Sequence, residues 1–420
     1  MRKNINKIVA LAIGISVMNG SIMPVFAADT TQNTSTTTTV QAQTIGKTLL
    51  TLDDAIKAAV SNSETLTLDE QKISYQDNIN DTNKKLDDFT GVNGDKEDLN
   101  NNTRDNSLNQ AKQQSDFDED KLIQKTTTAY NSIVTSQKQI DKAAKTLEIK
   151  NKELNDAKLK NSLGITTTTD LTGTKLQIET LQNQQKSSQN ALNDAEYSFK
   201  VLTGKDVTQY TLEQDIKYDT FKIDGSVDDY LDNSIDSYLN YKTQLIQLNK
   251  DYYNDSNNQV SASDVNTAET DSAAVVVPPK PGDGNLDPNA YQKYEDKLAE
   301  KQKYAGTLSA RLLYLNTRLG VYTQETTLNE TKKQFKEQLR TFYTNILALE
   351  DNITTLKKNI DLNNKQISNA KLKYDLGLIT KSDYNTQVLS TEDLDLQLRG
   401  YINQYNTLKE EIQKPWIAFS

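Results

Sequence analysis

The chain of 420 residues contains no cysteine and no histidine. Without cysteine it can form no disulfide and cannot carry the lipidated cysteine of a lipoprotein. Without histidine it lacks the commonest general base and the commonest zinc ligand. We therefore predict that the protein is not an enzyme and that it uses no cofactor and no metal.

Proline and glycine are also scarce, at 6 and 15 residues. Few helix breakers, together with abundant Gln, Lys, Asp, Asn and Leu, favour long solvated helices over sheets. The formal net charge is -10. Lysines alternate with acids and form no cluster, so the basic patch of a nucleic-acid-binding protein is missing and we predict no nucleic-acid partner.

Long apolar runs are missing except near the N-terminus. Arg2 and Lys3 precede an apolar stretch over 8–17, and Val25 and Ala27 follow at the spacing of a cleavage site, which is typical of a secretory signal. The stretch is too short to span a bilayer, which needs about 20 apolar residues. We assign 1–27 to a signal peptide and the Thr/Gln-rich segment 28–47 to a disordered leader, and we expect an exported protein.

The remaining chain is internally duplicated. The sequence AKLKNSLG at 157–164 returns as AKLKYDLG at 370–377, an offset of 213 with six of eight positions identical. Asp170 and Asp383 follow at the same offset. A fixed offset over several positions indicates repetition of one structural unit. We therefore divide the chain into a first repeat, 48–210, and a second repeat, 211–420.

Each repeat carries a heptad pattern upstream of its shared motif. An apolar stripe of this period predicts a helix that buries a narrow face against another helix. The stripe resumes after the motif, so each repeat reads as a helix, a turn and a returning helix. The predicted fold is all-α, with two tandem long antiparallel coiled-coil hairpins that turn near 162–169 and 375–382. The stripe residues are Ile133, Ile140, Leu147 and Leu154 in the first repeat, and Ile346, Ile353, Ile360 and Ile367 in the second.

A glycine marks each turn. Gly164 and Gly377 stand where a helix C-terminus adopts a positive φ, which glycine tolerates. Thr169 or Asp170, and Ser382 or Asp383, are candidate caps of the returning helices. The polar, proline-containing segment 257–290 is predicted to be a flexible loop of the second repeat, and residues 84–115 of the first repeat are equally polar.

The duplicated hairpin resembles the TolC family of outer-membrane efflux proteins. Two motifs carry the resemblance over residues 48–416: the opening LTLDDA at 50–55, and a glycine followed six residues later by aspartate. The family places membrane strands between these helices. A spanning strand needs about 9 to 11 residues of alternating apolar character, which neither 84–115 nor 257–291 offers. We therefore expect a TolC-like helical barrel with a reduced or absent membrane β-barrel.

The resemblance also implies partners and sites. It implies a homotrimer whose tips dock onto a periplasmic adaptor joined to an inner-membrane transporter. The tip positions are Gly164, Ile165, Gly377 and Leu378. Asp170 and Asp383 are aperture or helix-cap positions, but the second aperture aspartate of the family is Thr386 here.

The expected function is therefore an efflux or export conduit in the cell envelope. It would lie in the outer membrane by resemblance, or at the cell wall or surface if that membrane is lacking. A non-transporting coiled-coil scaffold of the envelope is the alternative, because heptads and polar loops need no transported substrate.

Overall fold

The computed structural model describes residues 47–282 and 287–419. The predicted signal peptide and nearly all of the leader lie outside these residues. The described chain forms ten α-helices and two three-residue strands. In chain order the elements are β1 (Thr48–Leu50), α1 (Leu52–Ser61), α2 (Glu64–Thr90), α3 (Asp95–Ser162), α4 (Thr168–Thr203), β2 (Tyr210–Leu212), α5 (Val227–Tyr238), α6 (Asn240–Asn254), α7 (Ala262–Ala274), α8 (Pro288–Asp375), α9 (Lys381–Gln413) and α10 (Pro415–Ala418).

The described residues divide into two compact units, which we call the hairpin unit and the layer unit. The hairpin unit comprises 47–76, 108–241 and 329–419, and the layer unit comprises 77–107 and 242–328 without the gap at 283–286. Both predicted helical hairpins lie in the hairpin unit, one formed by α3 from residue 108 onward with α4 and the other by α8 from residue 329 onward with α9. The all-α hairpin prediction is confirmed, with turns where the glycine pattern placed them.

The heptad stripes are partly or fully buried in the hairpin unit, with Ile140, Leu154, Ile360 and Ile367 only half-buried. Ile133, Ile346 and Ile353 have 0% exposure. Apolar burial contributes about 25 cal/mol per Å², so these rows account for much of the hairpin's stability. Beside them, β1 and β2 pair in parallel, with Leu50 opposite Leu212. The residues of this core are Leu50, Ala55, Tyr130, Ile133, Val134, Leu192, Phe199, Val207 and Leu212.

Two buried tyrosines tie extended chain to the helices of the hairpin unit. The Tyr130 hydroxyl donates to the Leu50 carbonyl at 2.6 Å and accepts from the Glu213 N–H at 2.7 Å. The Tyr405 hydroxyl donates to Glu350 at 2.7 Å and accepts from the Phe221 N–H. Each hydroxyl adds hydrogen bonds to buried polar groups, and the Glu213 N–H also donates to the Leu50 carbonyl at 3.3 Å.

Four helices of the layer unit form a row in the order α2, α3, α6 and α8, and α7 also belongs to this unit. Asn80 of α2 donates to the Arg104 carbonyl of α3 at 3.1 Å. Asn106 of α3 reaches Gln244 of α6 at 3.4 Å. The Tyr314 hydroxyl of α8 donates to the Tyr253 carbonyl of α6 at 3.2 Å. Within this unit, α2 and α8 therefore form the two edges of the row.

The structure places helices in two polar segments, one of which, 257–290, was predicted to be a flexible loop. Residues 95–115 belong to α3, which has 68 residues because no proline or glycine interrupts the chain between Gly94 and Gly164. The predicted flexible loop 257–290 contains α7, whose start is fixed by a capping box between Ser261 and Asp264. Capping residues satisfy the free N–H groups of a first helical turn, and a polar composition alone conceals this signal.

None of the helices in the described ranges is long and apolar enough to cross a membrane.

Candidate functional site: the hairpin tips

The turn from α3 to α4 is closed by backbone hydrogen bonds around a left-handed glycine. Gly164 has φ 71°, its N–H donates to Asn161 at 3.0 Å, and the next N–H, of Ile165, donates to Lys160 at 2.9 Å. This pair of bonds is the Schellman motif, which satisfies the last carbonyls of a helix. A Cβ at this φ costs about 1–2 kcal/mol, so glycine is required by the turn itself.

The turn from α8 to α9 is built in the same way. Gly377 also has φ 71°, its N–H donates to Tyr374 at 2.9 Å, and the Leu378 N–H donates to Lys373 at 2.8 Å. The two glycines therefore have the same local task. Their structural role is sufficient to explain them without any partner.

Threonines, not aspartates, cap the returning helices. The Thr167 hydroxyl accepts from the Asp170 N–H at 3.1 Å, and the Asp170 carboxylate accepts from the Thr167 N–H at 3.2 Å. Thr380 and Asp383 form the same box at 3.1 Å in both directions. The prediction that Thr169, Asp170, Ser382 or Asp383 is the cap residue is thus corrected. Both aspartates are the third residue of a capping box, which needs a side chain that reaches back to the cap N–H.

Apolar side chains surround both turns and point to solvent. Ile165 and Leu378 are each 70% exposed. We call the exposed apolar residues of the two turns the tip surface: Leu159, Leu163, Ile165, Leu372, Leu376 and Leu378. Its members correspond pairwise at the offset of 213 residues. Clustered exposed apolar side chains cost solvation free energy and mark interaction sites more often than isolated ones.

Hydrogen bonds in the second capping box lower the pKa of Asp383, first from the Thr380 hydroxyl and then from its N–H. A lowered pKa means that this carboxylate stabilises the folded tip at pH values above its ordinary range. The contribution is lost as the pH falls through the lowered folded value.

We expect Thr380→Val to return the pKa of Asp383 toward the ordinary value, because the hydroxyl that donates to the carboxylate is gone. Titration of the carboxyl carbon by NMR measures the shift. Thr386→Val is the matched control, since the Thr386 hydroxyl donates to the Ser382 carbonyl at 2.9 Å and not to Asp383. Equal pKa values for Asp383 in the Thr380 variant and the wild type would contradict this account.

A polar groove of about 600 Å³ runs along α3 and α9 in the hairpin unit. Hydroxyl and amide side chains dominate its walls. Sequence reasoning did not find this groove, because its walls come from segments more than 200 residues apart. Its lining includes Thr127, Thr128, Asn131, Ser132, Thr135, Ser136, Asn403, Asn406 and Thr407.

Ion pairs between the two hairpins were also not predicted. Lys142 of α3 pairs with Asp393 of α9, and Lys145 pairs with Glu392 at 2.5 Å. Exposed pairs of this kind contribute little stability. In the sequence, these lysines and acids are spaced like the other charged residues of their helices, so no pattern predicts that they pair.

Comparison with known proteins gives a fold but no sequence family. No family model and no curated protein matches the chain. The solved outer-membrane channel OprN matches with a TM-score of 0.55 and 11% identity, over 87% of this chain and 90% of that one. CusC matches with a TM-score of 0.52 and 11% identity, over 87% and 91%. The outer-membrane protein VceC of Vibrio cholerae matches with a TM-score of 0.51 and 11% identity, over 86% and 96%.

These matches cover nearly the whole of each chain, so the similarity is not confined to one hairpin. The chain therefore has the fold of these solved outer-membrane proteins, as the predicted TolC-like helical architecture implies.

Proposed function

We propose that the protein is a TolC-like efflux or export conduit of the cell envelope. It assembles as a homotrimer, and substrates pass through the tunnel formed by its helices. The tip surface docks onto an adaptor protein, which joins the conduit to an inner-membrane transporter. Its solved neighbours are channels, which also favours a protein without enzymatic activity.

The paired tip surface carries this proposal. A solvated turn gains nothing from branched apolar residues, yet both turns place one directly after the glycine, at equal exposure. A docking partner that covers them would recover their burial free energy. The polar groove along α3 and α9 is compatible with a surface that faces water and polar solutes, because its hydroxyls and amides replace hydrogen bonds to water.

The tip surface can be tested without disturbing the turn. Both glycines have a positive φ, so substituting them would strain the backbone. A loss of docking could then not be separated from the effect of that strain. Ile165→Ser with Leu378→Ser removes apolar surface only. We expect the double variant to fall to the level of a gene deletion in ethidium efflux and in resistance to a panel of antibiotics, with unchanged helicity and oligomer size.

Leu362→Ser is the matched control, because Leu362 is 56% exposed on α8 but lies away from both turns. It should keep wild-type efflux. If deletion of the gene changes neither efflux nor resistance, the conduit is wrong and the non-transporting scaffold takes its place.

A further inference from the structure

The layer unit exposes an apolar stripe on each of its edge helices. On α8 the stripe has the 4–3 spacing of a coiled-coil seam, and Leu312 and Leu319 are 62% and 64% exposed. The full stripe is Leu308, Leu312, Leu315, Leu319 and Tyr322. The opposite face of α8 carries a separate buried row, formed by Tyr314, Val321 and Leu328. The helix is therefore apolar on two sides, and only one of them is covered within the unit.

The other edge helix, α2, has a stripe of the same period. Ile79, Leu86 and Phe89 lie seven and three residues apart and are 51%, 50% and 89% exposed. A seam with heptad spacing predicts a helical partner, because each apolar residue packs between side chains of a facing helix.

The two edges have opposite charge. From 301 to 324, α8 carries Lys301, Lys303, Arg311 and Arg318 and no acidic residue. Residues 77–90 of α2 carry four aspartates and two lysines, and one of the aspartates, Asp87, already pairs with Arg104 of α3 within the unit. A basic edge and an acidic edge on the same row of helices are complementary to each other, and complementary charge selects partner and orientation.

We propose that the α8 edge of the layer unit binds the α2 edge of a neighbouring copy of the same chain. The contact is heterologous, because two different edges meet. Copies related by a rotation that closes on itself therefore form a ring. The inference rests on the proposed trimeric conduit and assigns the surfaces by which its layer units meet. An anionic membrane would explain the basic α8 stripe, but it leaves the acidic, apolar α2 edge unexplained.

Observed contacts fix the direction of the helices along the row. Asp87 of α2 accepts from Asn100 of α3 at 2.9 Å, whereas Asn80 reaches Arg104, so α2 and α3 are antiparallel. Lys96 lies over the Tyr252 ring at 5.4 Å and Asn106 reaches Gln244, so α3 and α6 are antiparallel as well.

The last pair in the row, α6 and α8, is antiparallel too. Lys250 pairs with Glu325 at 2.6 Å, and Tyr253 contacts Tyr314. An α2 helix from the next copy would continue this alternation beside α8.

The same contacts give the register across the proposed interface. They place Asp87, Asn100, Lys250 and Glu325 at about one level of the row, and a ring symmetry keeps that level in every copy. Because the two contacts between α6 and α8 differ in register by about 8 residues, Leu86 of one copy faces the α8 helix of its neighbour within about two helical turns, roughly 11 Å, of Tyr322. One antiparallel step further, Phe89 faces Leu319.

The absence of native cysteine makes engineered disulfides a clean test. We expect the purified chain carrying both Leu86→Cys and Tyr322→Cys, or both Phe89→Cys and Leu319→Cys, to cross-link on mild oxidation into covalent dimers and closed trimers. Each single variant should stay uncross-linked alone, and the two singles mixed should give dimers only.

The mismatched control is Leu86→Cys with Leu308→Cys. Leu308 lies 14 residues before Tyr322, which is about 21 Å along the helix, beyond the roughly 7 Å between Cα atoms that a disulfide tolerates. This pair should not cross-link.

The outcomes separate this inference from the proposed function. A trimer by light scattering with neither matched pair cross-linked overturns the inference and leaves the conduit. A monomer with no cross-linking overturns both. Cross-linked rings in a strain without any efflux phenotype support the interface and overturn the conduit. Burial of the α8 stripe by phosphatidylglycerol vesicles, with neither matched pair cross-linked, overturns the inference in favour of a membrane surface.

Discussion

Ile353→Asp is expected to unfold the hairpin unit. Ile353 has 0% exposure in the second half of α8 and belongs to the heptad row that packs the hairpins together. A carboxylate at this position would lose hydration without gaining a partner, which costs about 3–5 kcal/mol. Because native domains are stable by only about 5–15 kcal/mol, thermal unfolding followed by far-UV circular dichroism should shift to much lower temperature.

The matched control uses the same helix and the same substitution. Leu362 is 56% exposed, so Leu362→Asp should change the free energy of unfolding by less than about 0.5 kcal/mol. The two variants also test where the heptad row is buried. Because Ile353 is covered by its own chain, the Ile353→Asp variant should lose assembly only as a consequence of unfolding. A folded, monomeric Ile353→Asp variant would show instead that the row lies between subunits.

Arg399→Met is expected to cause the second largest loss of stability. Arg399 is 5% exposed on α9. Its guanidinium donates to the Gln214 carbonyl at 2.7 Å, to Asn131 at 2.8 Å and to Thr135 at 3.0 Å. Burial lowers the pKa of this guanidinium, which shows that the surroundings do not favour an isolated charge. These three hydrogen bonds are what compensates its desolvation.

Methionine fills similar volume but leaves three acceptors without a donor, at a cost of about 2–5 kcal/mol. Arg399→Lys keeps the charge and can reach fewer acceptors, so its free energy of unfolding should fall between the two. Arg340→Met is the control, since Arg340 is exposed and pairs with Asp228 at 3.0 Å on the surface. Urea unfolding of the wild type and the three variants gives the order of their free energies of unfolding directly. An Arg399→Met variant as stable as the wild type would disprove the role of these hydrogen bonds.

The hairpins and their turns could be predicted because their signals are local. A heptad row needs only the residues of one helix, and the positive φ at Gly164 follows from a few neighbouring hydrogen bonds. The capping boxes were only partly predicted. Threonine and aspartate both suit an N-cap, and the choice of Thr167 over Asp170 depends on where the helix begins, which a sequence pattern fixes only to within a few residues.

The layer unit shows what composition conceals. Residues 95–107 and 262–274 are both polar, and the second range lies in the segment predicted to be a flexible loop, yet both are helical. Their helices are supported by caps and by side-chain hydrogen bonds to neighbouring helices, such as Asn80 to Arg104, instead of a wide apolar face. Low hydrophobicity does not distinguish a solvated helix from a loop.

By itself, the sequence determined the helical class, the two hairpins and the position of both turns, since periodicity and backbone conformation act within a few residues. Only the tertiary structure decided which apolar rows are covered and which edges remain open. It also brought Arg399 to Asn131 and Gln214, across 268 and 185 residues of chain. Such contacts depend on how separate helices are placed side by side, and the residues that meet carry no pattern in common.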